Sequence, residues 1–532
     1  MTSLNSVYSA RNADDALRNK ELRRLDLQSA LDSRKSQAER NRMGQFATPF
    51  ALALEILSYA KKLLPRGQKI RFLDPGFGTG AFYSALMQIF LSSEIEAATG
   101  FEIDPHYGMP AHELWRDTGL NLNLSDFTKA APREDSYNLV ICNPPYVRHH
   151  HIFNGEKTRL QSASRMACGV QFGGLSGLYC HFLGLSHAWM TNGGLAGWLI
   201  PSEFMDVNYG TALKRYLLEK VRLLHIHRFD PVDVQFGDAL VSSAVVWFRK
   251  ETPPQEYDVR FTFGGTLSNP KISRLIPSKI LRGERKWTRF PMSGTRKDET
   301  APELSDFFLI RRGLATGNNA FFILNASQIA KRGLPEKFFS PILPSPRYLQ
   351  ITEIPSDEKG NPVIENPLFL LDCRLPEAEI KENYPSLWYY LAEGQESGVS
   401  QRYLCKHRSP WYSQENRPPA PFVCTYLGRG NNKNGRPFRF ILNNSRATVT
   451  NVYLALYPKK PLAQAIAEKP PLLRRIWEIL NRIQPESMLM EGRVYGGGLH
   501  KMEPKELARV PAHELKQLLS LPLKPHQRRI FD

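Results

Sequence analysis

The chain has 532 residues, 42% of them hydrophobic, with a net charge of +18. That length exceeds what one hydrophobic core serves, so two or more globular domains are expected. No apolar run approaches the roughly 20 residues of a bilayer-spanning helix, and the first 20 residues hold no apolar signal core, which points to a cytoplasmic protein.

Charge is unevenly spread. Residues 1–250 carry 28 Lys+Arg against 24 Asp+Glu, while residues 251–532 carry the remaining 42 against 28. A near-neutral half joined to a basic half suits a catalytic domain coupled to a polyanion-binding domain. The six cysteines are scattered with no C-x-x-C pair, so neither a zinc site nor a disulfide framework is expected.

In chain order, residues 1–43 read as an exposed helical arm, dense in Arg, Lys, Asp and Glu. Strand signals follow at 69–74, 97–104, 137–143, 195–201, 223–230 and 239–248, with helical segments at 81–91, 177–191 and 210–220. Strands alternating with helices predict an α/β domain over 44–250, with a mostly parallel sheet covered on both faces. The last two strands lack an intervening helix and can close the sheet as an antiparallel hairpin. Beyond 250 the alternation fades and Pro and Gly become frequent, which predicts a linker over 251–300 and a second α+β domain over 301–532.

The first strand runs into Asp74-Pro75-Gly76-Phe77-Gly78-Thr79-Gly80 and then a helix. Gly76, Gly78 and Gly80 let backbone approach a ligand closely, and the helix N-terminus offers free N–H groups. Glu102, at the end of the second strand, is placed to accept both hydroxyls of a ribose. These elements indicate an adenosine-containing cofactor and fit NAD or S-adenosylmethionine alike.

Residues 139–142 form a buried strand that leads into Asn143-Pro144-Pro145-Tyr146. Two prolines fix φ and remove two donors, leaving a rigid turn rich in acceptors. The Asn143 side-chain oxygen and the Pro144 carbonyl can both accept from a planar –NH₂ group. Such a nitrogen is a poor nucleophile because its lone pair is delocalised into the ring. Acceptors that favour its pyramidal form free the lone pair for attack on a methyl group. Tyr146 supplies an aromatic face for a planar substrate, worth about 1–3 kcal/mol per stacked base. The turn serves any planar amine, so adenine N6, cytosine N4, a guanine amino group in RNA and a protein glutamine amide all remain open. A DNA-binding module that keeps this fold without turnover is a further alternative.

The ordered motifs resemble the gamma class of amino-methyltransferases, which includes the Taq-type adenine-N6 DNA methyltransferases of type II restriction–modification systems. The resemblance covers roughly residues 40–250. It implies a Rossmann-like S-adenosylmethionine-dependent methyltransferase domain and a C-terminal target-recognition domain acting on double-stranded DNA. Under it, Gln45-Phe46-Ala47-Thr48-Pro49 matches the element before the glycine loop, with Thr48 near the methionine part of S-adenosylmethionine. Asp74, Gly76, Gly78 and Gly80 form the cofactor loop, Glu102 binds ribose, and Asp126 with Phe127 holds the adenine ring. Asn143, Pro144, Pro145 and Tyr146 are the catalytic motif, and Phe236 is a second aromatic against a flipped-out base. The class also implies a bacterial or archaeal, nucleoid-associated setting, and a separately encoded restriction endonuclease acting on the same site without stable contact.

More loosely, Arg311 to Asn318, Ser409 to Tyr412 and Tyr495 to Pro504 resemble segments of target-recognition domains in this class. Arg148, Arg311, Arg312, Asn318, Arg429, Lys433, Arg436 and Lys501 are the candidate DNA contacts, several beside glycines that allow close approach to phosphates. His149-His150-His151 has no carboxylate or thiol spaced to complete a metal site, and no metal is expected.

Overall fold

A computed structural model describes residues 2–132, 136–231, 242–293, 301–429, 436–495 and 498–520. The chain divides into two compact units, residues 1–297 and residues 298–494 with 498–532 (residues 495–497 group with the first). Among the described residues no helix is long and apolar enough to cross a membrane.

The first unit opens with α1 (Thr2–Ser33) and α2 (Gln37–Met43). Ser36 caps α2 reciprocally with Glu39, so the S-x-x-E spacing sets the turn between the two helices. α1 is not the exposed arm that its composition suggests. It packs on α4 (Ala81–Ile89) and α5 (Pro105–Trp115), and buries Glu21, Arg24 and Leu31. The charged side chains that made it look solvated include a buried ion pair between Arg24 and Glu21, at 2.7 Å.

α3 (Phe50–Leu63) precedes a nine-stranded sheet made of β1 (Ile70–Asp74), β2 (Ile95–Phe101), β3 (Leu120–Asn123), β4 (Tyr137–Cys142), β5 (Met190–Pro201), β6 (Arg222–Arg228), β7 (Ser243–Arg249), β8 (Asp258–Gly265) and β9 (Pro270–Pro277). Their order is β3-β2-β1-β4-β5-β7-β6-β8-β9. The first five strands pair in parallel, and β7 lies antiparallel between β5 and β6. This is the methyltransferase fold of a mixed, mostly parallel sheet. β4 is buried along its whole length: Leu139 and Ile141 enter one apolar cluster, Val140 and Cys142 the other. A continuous apolar strand of this kind fits only the middle of a doubly covered sheet.

The expected linker over 251–300 is a correction. Residues 258–277 form β8 and β9, with β8 parallel to β6, so the hairpin of β6 and β7 is internal to the sheet. Ile276, Leu281, Trp287 and Phe290 then join the core of the first unit. The sequence obscured this because β9 is an edge strand, exposed over residues 271–275 and carrying Lys271 and Arg274. Charge on a sheet edge discourages further pairing, and to a hydrophobicity pattern it reads as a loop.

The second unit holds a five-stranded sheet with β10 (Phe308–Arg312) at one edge, followed by Tyr453–Pro458, Phe422–Thr425, Phe440–Asn443 and Glu353–Ile354. Two three-stranded sheets and short helices complete an α+β unit with its own apolar clusters.

Candidate active site

The site forms where β1 and β4 end side by side. Leu73 pairs with Val140, so the glycine loop after β1 and the Asn-Pro-Pro-Tyr turn after β4 leave the same sheet edge together. A Cβ on Gly76 would lie 3.3 Å from the Asn143 carbonyl oxygen and 3.7 Å from Pro144 Cα. The glycine loop and the Asn-Pro-Pro-Tyr turn therefore lie against each other.

Asn143 is held by the segment before α3. Its Nδ2 donates to the Phe46 carbonyl at 2.9 Å and to Thr48 Oγ1 at 3.1 Å. A carbonyl can only accept, so these bonds fix which end of the amide is nitrogen. Asn143 Oδ1 is left buried with no hydrogen-bond partner among the described residues. A buried acceptor without a donor is costly and marks a place where a ligand donor belongs. Thr48 thus orients the Asn143 amide. Tyr146 is fixed at both ends: its N–H donates to the Gly44 carbonyl at 3.1 Å and its hydroxyl to the Leu199 carbonyl at 3.0 Å. The Phe46 ring sits 5.6 Å from it, centroid to centroid. Gly44 has φ +66°, and a Cβ there would lie 2.4 Å from Tyr146 N, which is why glycine ends α2.

Two carboxyl groups lie beside the glycine loop. Asp74 is buried; Oδ1 accepts from Gly76 N at 3.2 Å, and Oδ2 has no hydrogen-bond partner among the described residues. Burial, and then the nearby Glu102 charge, push its carboxyl up to about 7. Glu102 accepts from the N–H groups of Gly78 and Asp104, each at 2.8 Å, and burial raises its carboxyl as well. An acidic, donor-hungry cradle fits a ligand bearing positive charge and hydroxyl donors, and S-adenosylmethionine has both. Asp74, the 76–80 backbone and Glu102 are the residues that would hold it.

Asp126 caps a short turn by accepting from Thr128 N at 2.9 Å and from its hydroxyl at 2.7 Å, and Arg159 donates to the Thr128 carbonyl at 2.8 Å. Phe127 points into the core, its ring within 5.5 Å of Phe101, Phe182 and Trp189. Phe236 lies outside the described residues, as does Lys433. Arg148 is exposed just after the catalytic turn.

In the second unit the candidate contacts divide. Arg311 and Arg429 are exposed. Arg312 lies over the Tyr426 ring at 4.0 Å and donates to the Asn451 carbonyl at 2.9 Å. Lys501 pairs with Glu503 at 2.9 Å, and Arg436 donates to the Asn481 carbonyl. Asn318 sits at the N-cap position of a four-residue helix, its side chain making no capping hydrogen bond. Residues 427–429 and 499–501 pair as antiparallel strands, which joins two segments singled out in the sequence. Gly313 has a packing role: a Cβ there would lie 2.2 Å from the Thr450 carbonyl oxygen. Trp411 packs on Phe321 and Phe322, so the Ser-Pro-Trp-Tyr segment serves the core.

Sequence reading missed Arg24 and Gln28 on α1 and Lys35 in the turn after it, which reach the site region. Arg24 Nη1 donates to Thr79 Oγ1 at 3.0 Å, that hydroxyl donates to Gln28 Oε1 at 2.6 Å, and Lys35 pairs with Asp104. Charged side chains on a charged helix give no signal of burial.

Two family descriptions match the chain: "Eco57I restriction-modification methylase" over residues 106–235, and "Type II methyltransferase M.Eco57I, C-terminal domain" over residues 288–525. Type II methyltransferase M.XamI of Xanthomonas campestris pv. amaranthicola is 29% identical over 487 residues, 90% of this chain and 86% of that protein. Type II methyltransferase M.AccI of Acinetobacter calcoaceticus is 26% identical over 89% of this chain and 85% of that protein. Among solved structures, the type IIL restriction-modification enzyme MmeI in complex with DNA shares the fold, with TM-score 0.57 at 14% identity, over 91% of this chain and 70% of that one.

Proposed function

We propose that this chain, a relative of the type II restriction–modification methyltransferases with S-adenosylmethionine as its cofactor, methylates N6 of adenine within a specific duplex DNA sequence. The observation that carries the reading is the unpartnered Asn143 Oδ1, its amide locked by Phe46 and Thr48, in a turn whose backbone touches the cofactor loop. S-adenosylmethionine, when bound, supplies a methyl group made electrophilic by a sulfonium sulfur.

The chain's own residues do the rest. Asn143 Oδ1 accepts from the amino group and, with the Pro144 carbonyl, draws its hydrogens out of the ring plane. The nitrogen lone pair is then no longer shared with the ring. Because Asn143 is already oriented, no rearrangement is needed as the nitrogen changes geometry, and a fixed acceptor of this kind lowers a barrier most. The amine becomes more acidic as it gains carbon, and its proton leaves through these acceptors to solvent. Tyr146, held by Leu199 and Gly44, offers its ring to a base turned out of the helix, with Phe236 as the second aromatic; stacking offsets part of the unstacking cost. Asp74 and Glu102 keep the cofactor side acidic. Arg148 and the basic second unit bind the phosphate backbone, and the modification protects the site from a separately encoded endonuclease.

The test is transfer of tritium from labelled S-adenosylmethionine to unmodified DNA, followed by nucleoside analysis. N6-methyladenine in one sequence context is the expected product. N4-methylcytosine, or label in RNA or protein alone, would overturn the assignment to adenine.

A further inference from the structure

We infer that α1 braces the cofactor loop, and that Glu21, Arg24 and Gln28 are positioning residues which set cofactor affinity from outside the motifs that bind it. This rests on residues 74–80 being the S-adenosylmethionine loop. Both matched family spans begin beyond residue 105, so neither covers α1 or the loop it touches.

Arg24 is 1% exposed and Glu21 4%, although both lie on a helix otherwise rich in solvated charge. The Arg24 guanidinium donates through Nε and Nη2 to the two Glu21 carboxylate oxygens, at 2.8 and 2.7 Å. Its remaining arm, Nη1, donates to Thr79 Oγ1 at 3.0 Å, and the Thr79 hydroxyl proton goes to Gln28 Oε1 at 2.6 Å. One hydroxyl of the glycine loop is thus gripped twice, as acceptor and as donor, by residues one helical turn apart on α1. The Thr79 carbonyl is fixed independently by Trp115 Nε1 at 2.9 Å.

The same stretch of chain reaches the other side of the cradle. Gln45 donates to Asp104 at 2.7 Å and Lys35 pairs with it, while the Asp104 N–H donates to Glu102. The Tyr107 hydroxyl donates to Asp32 at 2.8 Å, and His106 Nε2 donates to the Leu31 carbonyl at 2.9 Å. α1 therefore fastens the loop after β1 and the start of α5, and the segment that follows α1 fastens the turn after β2 through Lys35 and Gln45. A loop between strand and helix whose glycines permit many conformations gains most from such fastening, because ordering it at binding would otherwise weaken affinity.

The experiment uses the full-length chain with Glu21→Met/Arg24→Met, which replaces the ion pair by apolar side chains of similar length, and Gln28→Leu, which removes one acceptor. In cofactor-free protein, hydrogen exchange at the amides of 76–80 should speed up in both. Titration calorimetry with S-adenosylhomocysteine should show Kd raised about tenfold for the double variant and less for Gln28→Leu. Turnover at saturating S-adenosylmethionine should stay within about twofold of wild type. By reciprocity, S-adenosylhomocysteine should slow exchange in residues 18–32 of the wild type. Folded variants with wild-type loop exchange and wild-type Kd would overturn the inference, as would a loss of turnover at unchanged Kd. Gln28→Leu keeps the test valid if the double variant fails to fold. If wild-type protein itself does not bind S-adenosylhomocysteine, the loop assignment fails instead, which is a separate result.

Discussion

The two units use polar residues in opposite ways. In the first, two polar atoms at the site are incompletely satisfied: among the described residues, Asn143 Oδ1 and Asp74 Oδ2 are buried without a hydrogen-bond partner. In the second, several cations that composition marks as DNA contacts are already engaged within the protein, Arg312 on Tyr426, Lys501 on Glu503 and Arg436 on Asn481. Reaction chemistry needs a few atoms kept hungry at fixed positions. Backbone binding needs charge on a surface, and much of a basic unit's charge can be spent on its own architecture.

The sharpest way to break this contrast is Asn143→Ala. Loss of a single fixed acceptor of the transition state should reduce kcat by about 10²–10³ while DNA and cofactor affinities change little. If affinity falls instead and turnover survives, the unpartnered oxygen is a structural accident and the two units do not differ as described.

The same contrast explains what the sequence reveals. Asp74 to Gly80 and Asn143 to Tyr146 were placed correctly at the ends of β1 and β4 because those strands are short apolar runs of unambiguous period, each leading into a glycine or proline turn. β9 was hidden because an edge strand carries Lys271 and Arg274 where a buried strand would carry Val or Ile. Arg24 was hidden for a related reason, since its burial depends on Glu21 and Thr79 arriving from one turn and from 55 residues away. In the second unit, Gly313 and Trp411 looked functional but answer to packing, because a glycine or an aromatic residue serves both ends equally.

A smaller effect sharpens the picture of the acidic cradle. Asp74 is held up to about 7, first by burial and then by Glu102. A cationic ligand favours the carboxylate, so cofactor affinity should be greatest above pH 7 and fall as pH drops below it, by at most about tenfold per unit. The stability sign is opposite. A carboxyl raised from 3.8 to about 7 on folding stabilises the fold relative to its charged form at low pH, and that contribution is lost as pH rises through 7. Asp74→Asn should therefore raise the unfolding midpoint of cofactor-free protein at pH 8 while flattening and weakening cofactor binding. A variant that binds with wild-type pH dependence would remove Asp74 from the cradle.

The smallest effects distinguish charge on the surface from charge already engaged. Arg311 and Arg429 are exposed on strands of the second unit. If each meets a phosphate, Arg311→Ala and Arg429→Ala should each lower the slope of log affinity against log salt by about 0.9, across specific and unrelated sequences alike. Lys501→Ala removes a side chain paired to Glu503 and near the Tyr426 ring, so it should lower thermal stability slightly and leave the salt slope almost unchanged. The opposite outcome, a steep change from Lys501→Ala and none from Arg311→Ala, would mean that DNA draws Lys501 away from Glu503 on binding. Engaged cations would then be a reserve that the nucleic acid recruits, and exposure in the free protein would be a poor guide to where this unit grips its substrate.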